Sequence, residues 1–150
     1  MQKKEGIIMK IRNGFVTNSS SSSFVICYRS QNDAKQLYNK LDYECGWGIN
    51  VGKRVKELVD REIEQKRNYC GDKLENFIPI IEDELRWDNR WRKGSEEDGL
   101  PEQIQEFKEK VKDATVLVAI EIDDHSDGDC EHEMYRHVDG EVVLYGFNHH

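Results

Sequence analysis

The chain has 150 residues, 35% of them charged and 37% hydrophobic, with a formal net charge of −8 at pH 7. One domain of this size buries roughly 70% of its unfolded surface, so a single domain over 1–150 is predicted. No apolar run approaches the ~18 residues of a membrane span, and no apolar leader block is present, which predicts a cytoplasmic protein without a membrane partner.

Residues 1–8 precede a second methionine, Met9. Lys4-Glu5-Gly6 is encodable by a purine run of the kind that precedes a bacterial start codon. The expectation is that Met9 initiates and that 1–8 are an upstream extension; the plain alternative is a frayed terminus. Asn13-Gly14 then marks a turn. Five serines follow, Ser19, Ser20, Ser21, Ser22 and Ser23. Serine side chains compete for backbone hydrogen bonds, so the run reads as a loop closing a Ser-rich arm over 9–23. Its hydroxyls and amides also make it a candidate anion or modification site. Phe24 to Tyr28 reads as a short buried strand.

The stretch Met9-Lys-Ile-Arg-Asn-Gly-Phe-Val-Thr-Asn-Ser-Ser-Ser-Ser-Ser-Phe-Val-Ile resembles the opening of a group of small uncharacterised proteins from bacteria and their phages. Their openings share a basic first turn, Gly-Phe-Val-Ser/Thr-Asn, a serine run and Phe. Some members also share an Asp-His near a late strand and a terminal His-His, matched here by Asp124-His125 and His149-His150. The resemblance implies a phage or mobile-element context and Met9 as the start. It implies no particular activity.

The middle of the chain has helical periodicity. Ala34, Leu37, Tyr38 and Leu41 recur at helical spacing behind Asn32 and Asp33 as caps. After a Gly46-Trp47-Gly48 loop, Val51, Val55, Leu58, Val59 and Ile63 form the clearest amphipathic stripe, ending near Lys66. Asp72-x-x-Glu75 resembles a capping box ahead of Leu74, Phe77, Ile78, Ile81 and Leu85, within which Pro79 either starts or kinks the helix. Residues 93–100 read as a loop, and Pro101 opens a helix with Ile104, Phe107 and Val111 on its buried face. Two β-branched runs, 115–122 and 141–147, predict strands. With 24–28 they give an α+β fold, a small sheet covered by three or four helices.

Three groups of residues carry candidate chemistry. Arg86, Trp87, Arg90 and Trp91 interleave cations and aromatics, a pattern suited to nucleic-acid contact and equally to a helix end. Cys27, Cys45, Cys70 and Cys130 contain no CxxC pair; Cys130 stands out for its acidic and imidazole neighbours. The third group is the C-terminal segment. Residues 1–120 are charge-balanced, whereas 121–150 hold nine carboxylates, one arginine and all five histidines. Crowded like charges repel unless a cation or basic partner compensates them, which disfavours duplex nucleic acid and favours a protein partner with a basic surface. Imidazole and carboxylate together suit a divalent transition metal (zinc, manganese or iron), with Asp124, His125, Glu131, His132, His149 and His150 as ligands. Asp123, Asp127 and Asp129 around Gly128 look superficially like a calcium loop. Glu133 and His137 would share a face if 131–138 forms a helical turn.

Two functions fit this pattern. One is a small acidic accessory protein that binds a host protein through its His-rich C-terminal face. The other is a metal-dependent hydrolase using the same loop, with Glu131 or Glu133 as base.

Overall fold

A computed structural model of the chain describes residues 21–70, 73–123 and 126–149. In chain order the elements are β1 (Ser21–Tyr28), α1 (Gln31–Lys40), α2 (Val51–Gln65), β2 (Tyr69–Cys70), α3 (Ile78–Lys93), α4 (Leu100–Lys110), β3 (Val116–Asp123), α5 (Cys130–Tyr135) and β4 (Val143–Asn148). Among the described residues the strands make one antiparallel sheet in the order β2-β3-β1-β4. The fold is α+β, as expected.

Both faces of the sheet are covered. Phe24 and Ile26 of β1, with Val118, Ile120 and Ile122 of β3, pack against Leu37 of α1, Val55 and Val59 of α2 and Met134 of α5. The alternate residues, Val25 and Cys27 with Leu117 and Ala119, pack against Phe77, Ile81 and Leu85 at α3 and Phe107 of α4. This explains why the strands read as continuous apolar runs: side chains on either face of the pleat enter a core. Every residue of β1 is buried.

Several expectations are corrected here. The serine run is not all loop, because Ser21 to Ser23 are the first three residues of β1. Ser30 stands at the N-cap of α1, while Asp33 lies in its first turn and accepts the Arg29 N–H at 2.8 Å. A 3₁₀ turn at Leu74–Asn76 precedes α3, and Pro79 sits in the first turn of that helix, so it starts the helix instead of kinking it. Asp72 lies outside the described residues. The C-terminal strand β4 pairs with β1, so β1 separates it from β3. Strand order depends on long-range pairing that no local pattern records.

Phe107 is fully buried and stacks on Phe77 at a centroid distance of 6.1 Å. Phe107→Ala is expected to cost about 3–5 kcal/mol in urea denaturation. Trp91→Ala, at a side chain 71% exposed, is expected to stay within about 0.5 kcal/mol of the parent.

Candidate functional site

Strand alternation sends Ser22 to the α2/α5 face and Ser21 and Ser23 to the α3/α4 face. Each of the three donates to a different glutamate. Ser21 Oγ donates to Glu121 of β3 at 3.0 Å, Ser22 Oγ to Glu131 of α5, and Ser23 Oγ to Glu84 of α3. The Tyr135 hydroxyl in turn donates to Ser22 Oγ at 2.8 Å. The Tyr135 phenol is pushed above its ordinary pKa, chiefly by burial.

His149 closes the α3 side of this arrangement. Its N–H donates to the Ser21 carbonyl at 3.1 Å, continuing the β1–β4 ladder by one residue. Its Nε2 lies 3.0 Å from Glu84 Oε2 and 3.4 Å from Ser23 Oγ, and its ring stands nearly perpendicular to that of Trp87 with centroids 6.1 Å apart. Glu84 and His149 are only 1% and 5% exposed. One imidazole nitrogen therefore serves both carboxylate and hydroxyl. A Ser-His-acid relay places them on opposite ring nitrogens. Ser23 itself is fully buried and donates to the acid. The arrangement holds the strand end together and offers no accessible nucleophile.

Three of the predicted metal ligands, Glu131, His132 and His149, lie within the described residues, and these three do not converge. Glu131 and His149 bond to neighbouring serines that point to opposite faces of the sheet, and His132 is exposed on α5. His149 and Asp123 flank Ser21 on either side, two strand spacings or about 10 Å apart. Asp124, His125, His150, Ser19 and Ser20 lie outside the described residues. Among the described residues no group of three His, Cys, Asp or Glu side chains is arranged to hold a metal. Ser21, Ser22 and Ser23 are likewise buried as donors, not presented to an anion or a modifying enzyme.

The calcium-loop resemblance dissolves for a physical reason: the protein supplies its own cation. Asp127 accepts Arg54 Nε at 2.5 Å through one oxygen and the Asp123 N–H at 2.8 Å through the other. Glu133 accepts the Tyr43 hydroxyl at 2.7 Å, and burial together with that carboxylate pushes Tyr43 up to about 12. The Arg–Trp patch is similarly occupied. Arg86 pairs with Glu97 at 2.9 Å, Arg90 lies 3.7 Å from Glu96, and Arg92 pairs with Asp88 at 2.7 Å. Trp87 is half-buried against Trp91 and His149. These pairings leave a phosphate backbone little unbalanced positive charge at this patch.

Two features escaped the sequence reading. Glu84 falls on the apolar stripe of α3 beside Ile81 and Leu85, and a carboxylate on a buried stripe is a legible signal of a buried partner. Trp47 is 71% exposed at the tip of the loop between α1 and α2, with a left-handed φ of 68°. That loop is tightly held: Cys45 N–H donates to the Ile49 carbonyl at 2.8 Å, and Glu44 bridges Asn50. It also packs on the acidic loop before α5. A Cβ at Gly128 (φ 61°) would fall 2.6 Å from the Gly46 carbonyl oxygen, so only glycine allows the two backbones this close.

The chain matches no protein-family model, and neither a curated protein nor a solved structure shows significant similarity to it.

Ser23→Ala removes a donor from a buried carboxylate and is expected to cost about 1–3 kcal/mol by chemical denaturation. Burial and the nearby Lys40 hold His137 below its ordinary 6.5. The unfolded chain thus takes up that proton more readily, so the contribution of His137 to stability is present above about pH 6.5 and lost as pH falls below it. NMR titration is expected to show a depressed His137 midpoint that rises in Lys40→Ala.

Proposed function

We propose that the chain is a non-enzymatic accessory protein that docks a protein partner through Trp47 and the adjoining acidic loop over 126–129. The observation that carries this reading is Trp47 itself, a large aromatic 71% exposed on a braced loop. Left-handed backbone at a bulky residue costs on the order of 1 kcal/mol, and an exposed ring returns nothing to the fold. Trp is enriched among the few residues that dominate binding energy at interfaces. Asp42, Glu44 and Asp129 are exposed on the same and adjoining loops, which supports a partner with a basic rim around an apolar pocket. Electrostatic attraction of that kind speeds association and weakens with salt. The resemblance of the opening to phage and bacterial proteins supports a host protein as the partner.

The metal-dependent hydrolase draws its support from His149 beside Glu84; Asp124, His125 and His150, its other expected ligands, lie outside the described residues. Elemental analysis of tag-free protein distinguishes the two readings. Docking expects no stoichiometric zinc, manganese or iron. A stoichiometric metal that is lost in His149→Ala establishes the hydrolase centre instead.

The docking test is affinity capture from a bacterial host extract, with proteins identified by mass spectrometry. A protein retained by the parent is expected to be lost with Trp47→Ala and with Asp129→Lys, while thermal unfolding of both variants stays close to that of the parent. Truncating an anchoring Trp is expected to weaken binding by about 30-fold or more. Equal retention by the parent and both variants overturns the proposal.

A further inference from the structure

The sulfurs of Cys45 and Cys130 stand 3.4 Å apart, although 85 positions separate them in the chain. None of the four cysteines is in a disulfide. Cys45 is partly exposed on the loop that carries Trp47, whereas Cys130 is buried at the start of α5. We propose that Cys45 and Cys130 are a peroxide-oxidisable dithiol, a modification site whose reversible disulfide clamps the Trp47 loop to α5.

Three observations favour this pair. Bonding distance is about 2.05 Å, so closure needs a shift of only about 1.4 Å. The two segments are already in backbone contact, as Gly128 against Gly46 shows, and a Cβ at Gly46 would fall 2.7 Å from Asp129 Oδ2. The exposures are also unequal in a useful way. A small oxidant can reach Cys45, while Cys130 waits behind it as the resolving thiol. Cys27 lies within β1 between the α3/α4 core residues, and the Cys70 thiol donates to the Lys73 carbonyl at 2.7 Å. Neither sits beside Cys45 or Cys130.

The chemistry balances with hydrogen peroxide as oxidant. The Cys45 thiolate attacks one peroxide oxygen, the O–O bond breaks, and the departing hydroxide takes up a proton as water. The Cys130 sulfur then attacks the Cys45 sulfenic sulfur. The S–O bond breaks, and the hydroxyl leaves as a second water with the Cys130 thiol proton. Two thiols are oxidised and one peroxide is reduced. Burial, reinforced by the Cys45 contact, pushes the Cys130 thiol up to about 12, so Cys45, the partly exposed partner, is the one that meets the oxidant first.

The experiment treats the reduced full chain with hydrogen peroxide, blocks remaining thiols with iodoacetamide and maps the peptides by mass spectrometry. The expected result is a linked Cys45–Cys130 peptide, with Cys27 and Cys70 alkylated. The oxidised protein should melt about 5 °C or more above the reduced form, and dithiothreitol should reverse this. In Cys130→Ser, dimedone should trap a sulfenic acid on Cys45. A wild-type map without the linked peptide, a link to Cys27 or Cys70, or a linked form that melts no higher than the reduced one overturns the proposal. These readouts need no partner, so their failure is separate from failure of the docking reading.

Discussion

The arrangement depends most on the hydrogen bonds that three consecutive serines in one buried strand make to three glutamates. An ionised carboxylate inside a protein is costly unless its oxygens are bonded. Glu84 and Glu131 are both buried, one on each face of the sheet. β1 can satisfy both because successive side chains point to opposite faces. One short strand segment thereby fastens α3, α5 and β3 at the same end of the sheet. Apolar residues at these positions would pack without fixing which helix end belongs where. A hydroxyl facing a particular carboxylate specifies position as well as stability.

The same logic accounts for the charge imbalance along the chain. Residues 121–150 hold the whole net charge, yet much of it is turned inward. Glu121 and Glu131 accept from serines, Asp127 from Arg54 and Glu133 from Tyr43. Four of the nine acids that look like a solvated or metal-binding tail in the sequence are internal acceptors. Asp129, Asp139 and Glu141 remain outward, and of these Asp129 adjoins the Trp47 loop.

The legible parts of the fold were those governed by local periodicity. The stripe Val51, Val55, Leu58 and Val59 became the buried side of α2, and the β-branched run before Asp123 became β3. The α+β class followed from the placement of these elements. Three things were not legible. Ser21 to Ser23 read as loop because serine's intrinsic preference is local, while their strand conformation is set by partners about 100 residues away. The pairing of β4 with β1 left no local mark. Of the candidate site, grouping His149 with Glu131 as ligands implies a C-terminus that packs on the body of the protein, and His149 is indeed buried there, at a different partner. It meets Glu84, which drew no attention in sequence, while Glu131 faces the other way.

The pairing of β1 also bears on how the chain is made. Ser21 aligns with Asp123 and Ser22 with Asn148, so both neighbours of this strand leave the ribosome long after it does. At about 5–20 residues per second, translation keeps the strand waiting for roughly 5–20 s. Throughout that interval an apolar Phe-Val-Ile-Cys-Tyr segment has no native ladder to join. Such a delay favours late, nearly all-at-once closure of the sheet, and it marks this segment as the one a holding chaperone would most usefully shield.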